Sequence, residues 1–145
     1  MQLTFRFNFS QMSTLIKCCG FAQGGEHAKK KGLKVLLQCF SDVTSNKSIG
    51  QSPTTFYSLL TSLSRLVSDD AKRRPIAAAI FESCVKAGQL NGSVLSALSE
   101  CQPDLYDKLP FVQVNGTYKI EDIPSKWRRN LPQPNRGKRQ DIRIN

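Results

Sequence analysis

Apolar residues recur along most of this chain at intervals of three and four, the spacing that places them on one face of an α-helix. Met12, Leu15, Ile16 and Cys19 follow Ser10 in this way and predict a first helix that stops near Gly20. Gly24 and Gly25 break the pattern, and Leu33, Leu36, Leu37, Phe40 and Val43 then share a face of a second helix that begins after Glu26. That helix runs out in the polar stretch from Thr44 to Ser52. Pro53, Thr54 and Thr55 open a third helix, because proline suits a first turn and threonine can cap, and Phe56, Leu59, Leu60, Leu63 and Leu66 form its apolar side. Ser68, Asp69 and Asp70 supply the next cap. The fourth helix carries Ile76, Ala79, Ile80, Cys84 and Val85, tolerates Pro75 near its first turn, and ends at Gly88, a residue at ease in the left-handed conformation. A short fifth helix is expected from Ser93 through Leu98, and Asp104 to Leu109 adds a further turn or two.

Two segments follow a period of two instead. Leu3, Phe5, Phe7 and Phe9 alternate with Thr4, Arg6 and Asn8, which describes an extended lead-in over residues 1–9. Phe111 to Ile120 reads as two alternating runs around Asn115 and Gly116, a pair suited to a two-residue type I′ turn, so a small β-hairpin is expected over residues 110–123. It would lean on the helices or pair with the lead-in, since an isolated hairpin is marginal.

The helices repeat in pairs. Leu15 and Ile16 stand 44 residues before Leu59 and Leu60, and the run from Ala28 to Lys31 stands 43 residues before the run from Ala71 to Arg74. A period of this size with two helices per unit describes an α-solenoid, in which each hairpin buries its apolar face only against its neighbours. The units span about 10–52 and 53–90, with capping helices at 92–109, so residues 10–109 form the helical repeat domain. The fold is expected to be all-α, helical-hairpin repeats stacked as a short solenoid, with the hairpin near the C-terminus.

Composition narrows the function classes. A chain of 145 residues with 39% hydrophobic and 22% charged content builds one core without a metal or disulfide staple. Cys18, Cys19, Cys39, Cys84 and Cys101 show no C-x-x-C pair, and His27 is the single histidine, so no metal site or cofactor is expected and the thiols read as core residues. No uninterrupted apolar run approaches the ~18 residues of a membrane-spanning helix. His27 has no spaced carboxylate partner and Gly24-Gly25 lacks a phosphate-loop ending, so catalysis is not expected. The acid-free, hydroxyl-rich start with Arg6 and Lys17 fits an organellar transit peptide in composition, but its alternation favours the extended lead-in.

The net charge of +10 is uneven. Residues 124–145 hold seven basic residues against Asp141 alone, so +6 lies there and +4 on the first 123 residues. Pro132, Pro134 and Gly137 make 124–145 a basic, flexible tail in which Trp127 is an anchor on the helices. Lys126, Arg128 and Arg129 lie at its start. In the repeats, Lys29, Lys30 and Lys31 match Lys72, Arg73 and Arg74 at the starts of second helices, where positive charge opposes the helix dipole. Stacked units would set these clusters side by side as a phosphate track, the rival reading being a solvated face.

Three stretches, STLIKCCG with KGLKVLLQCF, then SPTTFYSLLTSL, then IFESCVKAGQLNGSVLSAL, resemble pentatricopeptide repeat proteins of the long, degenerate organellar type. DIPSKWRRNL, from Asp122 to Leu131, looks like the short Pro-x-x-Trp-Arg-x-Asn segment with which such chains close. The resemblance implies a right-handed solenoid that binds single-stranded RNA, one base per repeat, in a mitochondrion or plastid, in RNA processing, stability or translation. By the same alignment Ser13 and Tyr57 take the base-facing position of their units, and Ser52 lies near the end of the first. Tyr57 is bulky for that position and reads either as a base-stacking platform or as a packing residue. The implied RNA contacts are thus Ser13, Tyr57, Lys29, Lys30, Lys31, Lys72, Arg73, Arg74, Lys126, Arg128 and Arg129. The same hairpins also build tetratricopeptide-like scaffolds that bind a protein partner without reading RNA, and two units with a cap also fit the end of a longer array.

Overall fold

The computed structural model describes Ile16, residues 25–45 and residues 51–131. The lead-in, Ser13, Cys18, Cys19 and the chain after Leu131 lie outside these residues. Five helices follow one another: α1 (Glu26–Ser45), α2 (Pro53–Leu66), α3 (Asp70–Lys86), α4 (Gly92–Cys101) and α5 (Pro103–Asp107), then two 3-10 turns at Ile120–Asp122 and Ser125–Arg128. The described residues are all-helical and contain no strand.

The core sits around α2. Ser52 caps it, accepting the Thr55 N–H at 3.4 Å, and Pro53 fills the first turn, where no donor is needed. Its apolar stripe is wide enough for burial on several sides: Phe56, Leu59, Leu60 and Leu63 are fully buried, and Pro53, Thr55, Ser58, Ser62 and Leu66 are buried with them. Helices α1, α3 and α4 all pack against α2, most extensively α4, whose Val94, Leu95 and Leu98 are fully buried. Ile16 is helical and fully buried, and its carbonyl accepts from Ser62 Oγ at 2.8 Å, so this residue also touches α2.

Helix α1 sends Gly32, Leu36, Cys39 and Val43 inward. Leu37, grouped with this face in the sequence, is 39% exposed, because the buried set follows strict steps of three and four from Leu36. Helix α3 is an outer helix that buries only Ala77, Ile80 and Cys84, and Ala79 faces solvent. Asp69 caps it, accepting the Ala71 N–H at 3.0 Å. Pro75 stands in its second turn rather than its first; the helix continues because the proline removes a single intrahelical bond, on the exposed side. Gly88 ends α3 with φ at +66°: its N–H donates to the Val85 carbonyl and that of Gln89 to the Cys84 carbonyl, closing the left-handed cap expected there.

Three further sequence expectations need revision. Helix α4 is longer than foreseen at both ends, since Asn91 caps it by accepting the Val94 N–H at 3.0 Å. The hairpin over residues 110–123 is not formed as strands. A type I′ turn needs positive φ at both central residues, and among the described residues only Gly88 and Gly116 have it, so Asn115 stays on the ordinary side. The loop instead closes between Gln113 and Thr117, with N–H to carbonyl bonds of 2.8 Å from Gly116 to Gln113 and from Gln113 to Thr117. Tyr106 Oη pins it by donating to the Gly116 carbonyl at 2.6 Å. Phe111 and Tyr118 turn inward while Val114 and Ile120 are exposed, so no alternating face survives.

The third revision concerns the tail. Residues 124–131 are docked on the end of α3 rather than flexible. Trp127 is edge-on to both Phe81 (6.1 Å) and Phe111 (5.7 Å), the anchor expected of it. The Trp127 carbonyl accepts from the Leu90 N–H, and the Asn130 N–H donates to the Gly88 carbonyl, both at 2.9 Å. Asn130 Nδ2 reaches the Ala87 carbonyl (2.9 Å) and Arg129 Nη2 that of Lys86 (3.1 Å). Carbonyls that a helix end leaves orphaned are thereby satisfied by a segment 43 residues further on.

Candidate nucleic-acid interface

The solvent side of α2 is narrow. Thr54, Tyr57 and Arg65 are exposed, Thr61 and Ser64 are half-buried, and the rest of the helix is covered. Helix α4 likewise shows Gly92, Ser93, Ser96 and Glu100, with Ser99 half-buried. Two tightly packed helices therefore present adjoining stripes rich in hydroxyl groups. At their N-terminal ends the stripes enclose a depression of about 560 Å³ between Thr54 and Tyr57 on one side and Asn91, Ser93 and Ser96 on the other. Tyr57 is 40% exposed. It stands five residues after the cap Ser52, and Ser96 stands five residues after the cap Asn91. Asn91 and Ser96 were missed in the sequence, although asparagine is a favoured cap residue and counting five from it finds Ser96. The Tyr118 hydroxyl overlooks the same end of α4, 3.2 Å from where a side chain on Gly92 would begin.

The basic clusters divide. Lys29 and Lys30 near the start of α1 and Lys72 from the first turn of α3 line one depression of about 120 Å³ together with Leu33 and Leu66. Lys31 is exposed but lies outside it. Arg73 turns inward: its Nε donates to Gln102 Oε1 (3.2 Å), Nη1 to the Val67 and Ser68 carbonyls (3.0 and 3.3 Å), and Nη2 pairs with Asp70 at 3.2 Å. Arg74 pairs with Asp104. The two arginines thus fasten α3 to the junction of α4 and α5 and do not extend a track.

Gln102 is the centre of that junction. It is fully buried, and its Nε2 donates to Asp70 (2.8 Å) and Asp104 (2.7 Å) while its Oε1 accepts from Arg73. A buried amide with its donors and acceptor satisfied is a specific fastening, and nothing in its flanking sequence announced it.

In the closing segment Lys126 is exposed, Arg128 is half-buried and Arg129 bonds the end of α3. Arg129 and Asn130 also border a polar crevice of about 480 Å³ with Lys86, Ser83 and Gln89. Ser13 lies outside the described residues.

Reactive chemistry is muted. Burial pushes the Cys84 thiol up to about 12, and it pushes Cys101 up to about 11 against the lowering pull of Arg73. Both stay protonated at neutral pH. Among the described residues no group of three metal-ligating side chains occurs, and no helix is long and apolar enough to cross a membrane. Set against protein-family models, curated proteins and solved structures, the chain finds no match in any of the three.

Proposed function

We propose that this chain binds single-stranded RNA along the hydroxyl-lined stripes of α2 and α4, as a pentatricopeptide-like stack of helical hairpins in a short right-handed solenoid. The observation that carries the reading is the common register of Tyr57 and Ser96, each five residues beyond its own helix cap and both facing one depression. Successive first helices that offer equivalent positions side by side suit a polymer read one unit at a time. Tyr57 gives a stacking surface, and Asn91, Ser93 and Ser96 give donors and acceptors for the edge of an unstacked base. Stacking of this kind is worth about 1 to 3 kcal/mol per base. Work on organellar RNA, in processing, stability or translation, follows from the sequence resemblance. One observation favours the scaffold alternative: Val114 and Ile120 are exposed apolar side chains on the loop beside α5.

The test is anisotropy of labelled single-stranded RNA with the full chain. Tyr57→Ala is expected to weaken binding about tenfold, near the low end of a stacking contact, while Tyr57→Phe binds as the wild type does. Tyr57 is exposed enough for both variants to fold. Equal affinity of all three proteins would remove the base platform. An absence of RNA binding, with a protein partner retained in high salt, would establish the scaffold reading instead.

A further inference from the structure

We infer that Lys29, Lys30 and Lys72 form a binding site for one backbone phosphodiester, reached by the same RNA strand beyond the Tyr57 depression. The inference rests on the RNA reading and adds to it a second contact with a different chemistry. Three lysines from two helices line one small concavity. None of the three pairs with a carboxylate among the described residues, although the other basic side chains of α3 do: Arg73 with Asp70, Arg74 with Asp104 and Lys86 with Glu82. Lys29 and Lys72 also stand in a helix's first turn, the end at which the peptide dipoles already present positive charge. The arrangement sets three like charges together, two of them against a helix dipole, and Glu26 and Asp69 offset only part of that. A bound anion reverses both effects.

The remaining groups define which anion. Glu26 and Asp69 border the same concavity, so three positive and two negative side chains leave about one unit of positive charge. Asp69 is held by the Ala71 N–H at 3.0 Å, which turns one carboxylate oxygen toward the backbone. A net charge near +1 matches the single charge of a phosphodiester better than the dianion of a free phosphate. The exposed Ser68 hydroxyl on the rim adds a neutral donor. Tyr57 and Leu66 are nine residues apart on α2, about 14 Å at 1.5 Å per residue, so the base on Tyr57 and the phosphate on the lysines belong to different nucleotides. Nine residues are also two and a half helical turns, which puts Leu66 on the opposite side of α2 from Tyr57, so the strand passes round the C-terminal end of α2 to reach both.

The experiment measures binding of a labelled oligouridylate of about a dozen nucleotides to the full chain and to the variant K29Q/K30Q/K72Q, in salt from about 50 to 200 mM. One neutralised phosphodiester contributes about 0.7 unit to the slope of log affinity against log salt, so over this range the wild type should lose about 2.5-fold more affinity than the variant. Tyr57→Ala should shift affinity and leave the slope unchanged. A wild-type slope in the triple variant, with RNA still bound, overturns the phosphate site and leaves the base platform standing. Failure of the wild type to bind RNA at all overturns both. Inorganic phosphate is then added against chloride of matched ionic strength: equal displacement supports the diester, and stronger displacement by phosphate assigns the site to a free anion and overturns it. Circular dichroism should show the variant as helical as the wild type, since the lysines oppose the helix dipoles.

Discussion

Cys84 and Cys101 show how far the interior is closed to water. Each thiol holds its proton well past the ordinary range, with burial as the main cause, so the folded-state value lies above the unfolded one. The contribution to stability is therefore complete below pH 9.0 and is lost as the pH rises from there toward the folded values of about 11 and 12. Each thiol should steepen the alkaline loss by about 1.4 kcal/mol per pH unit in that window. Chemical denaturation between pH 9 and 11 tests this. Cys84→Ala with Cys101→Ala should flatten the decline, whatever its absolute stability, and an unchanged slope would show that the thiols titrate as freely in the native state as in the unfolded one. The sequence allowed these two cysteines to be read as core residues because the five thiols form no C-x-x-C pair, and Cys84 also falls on the apolar face of its helix. It could not foretell that Arg73 lies close enough to Cys101 to oppose the shift.

At the scale of the helices, α3 differs from the others in what holds it. It buries three residues, so its N-terminal end depends on polar fastening through Gln102, Asp70, Asp104 and the two arginines. Gln102→Ala leaves Arg73 and both carboxylates short of a partner and should destabilise the protein by about 2 kcal/mol. Gln102→Glu should be worse at neutral pH, because a third carboxylate meets Asp70 and Asp104, and should recover as acid protonates it. Thermal melts of the two variants at pH 5 and pH 7 separate these effects; equal melting points at both values would mean that the amide is spectator to the junction. Helix positions were legible because apolar spacing, proline at a first turn and glycine at a last turn are local signals. The fastening was not, since Arg73 and Gln102 are 29 residues apart and the repeat pattern grouped Arg73 with solvent-facing lysines.

Across the whole molecule, α2 is shared by every neighbour, and its exposed strip is what remains for a ligand. Half of the candidate site was readable: Tyr57 from the repeat alignment, Lys29, Lys30 and Lys72 from the charge cluster. The other half needed the packing of α4 on α2, which brings Asn91 and Ser96 beside Tyr57 from a separation that no local pattern spans. The same holds at the closing segment, where proline and arginine content suggested a loose tail but Trp127 fills the space between Phe81 and Phe111. Trp127→Ala should cost about 2 to 3 kcal/mol, somewhat below a fully buried aromatic. Hydrogen exchange should then quicken at Leu90 and in the last turn of α3 while the α2 and α4 amides stay protected; uniform quickening would show that the segment supports the entire core.

The Lys86, Ala87 and Gly88 carbonyls receive their partners from Arg129 and Asn130, up to 43 residues later in the chain. At about 5 to 20 residues per second, a ribosome takes about 2 to 9 s to make that stretch. During synthesis the end of α3 is therefore left for seconds without its permanent partners, and residues made much later complete a helix begun far earlier. A chain cut before Arg129 would carry every core helix and still leave these carbonyls at the end of α3 without their protein partners.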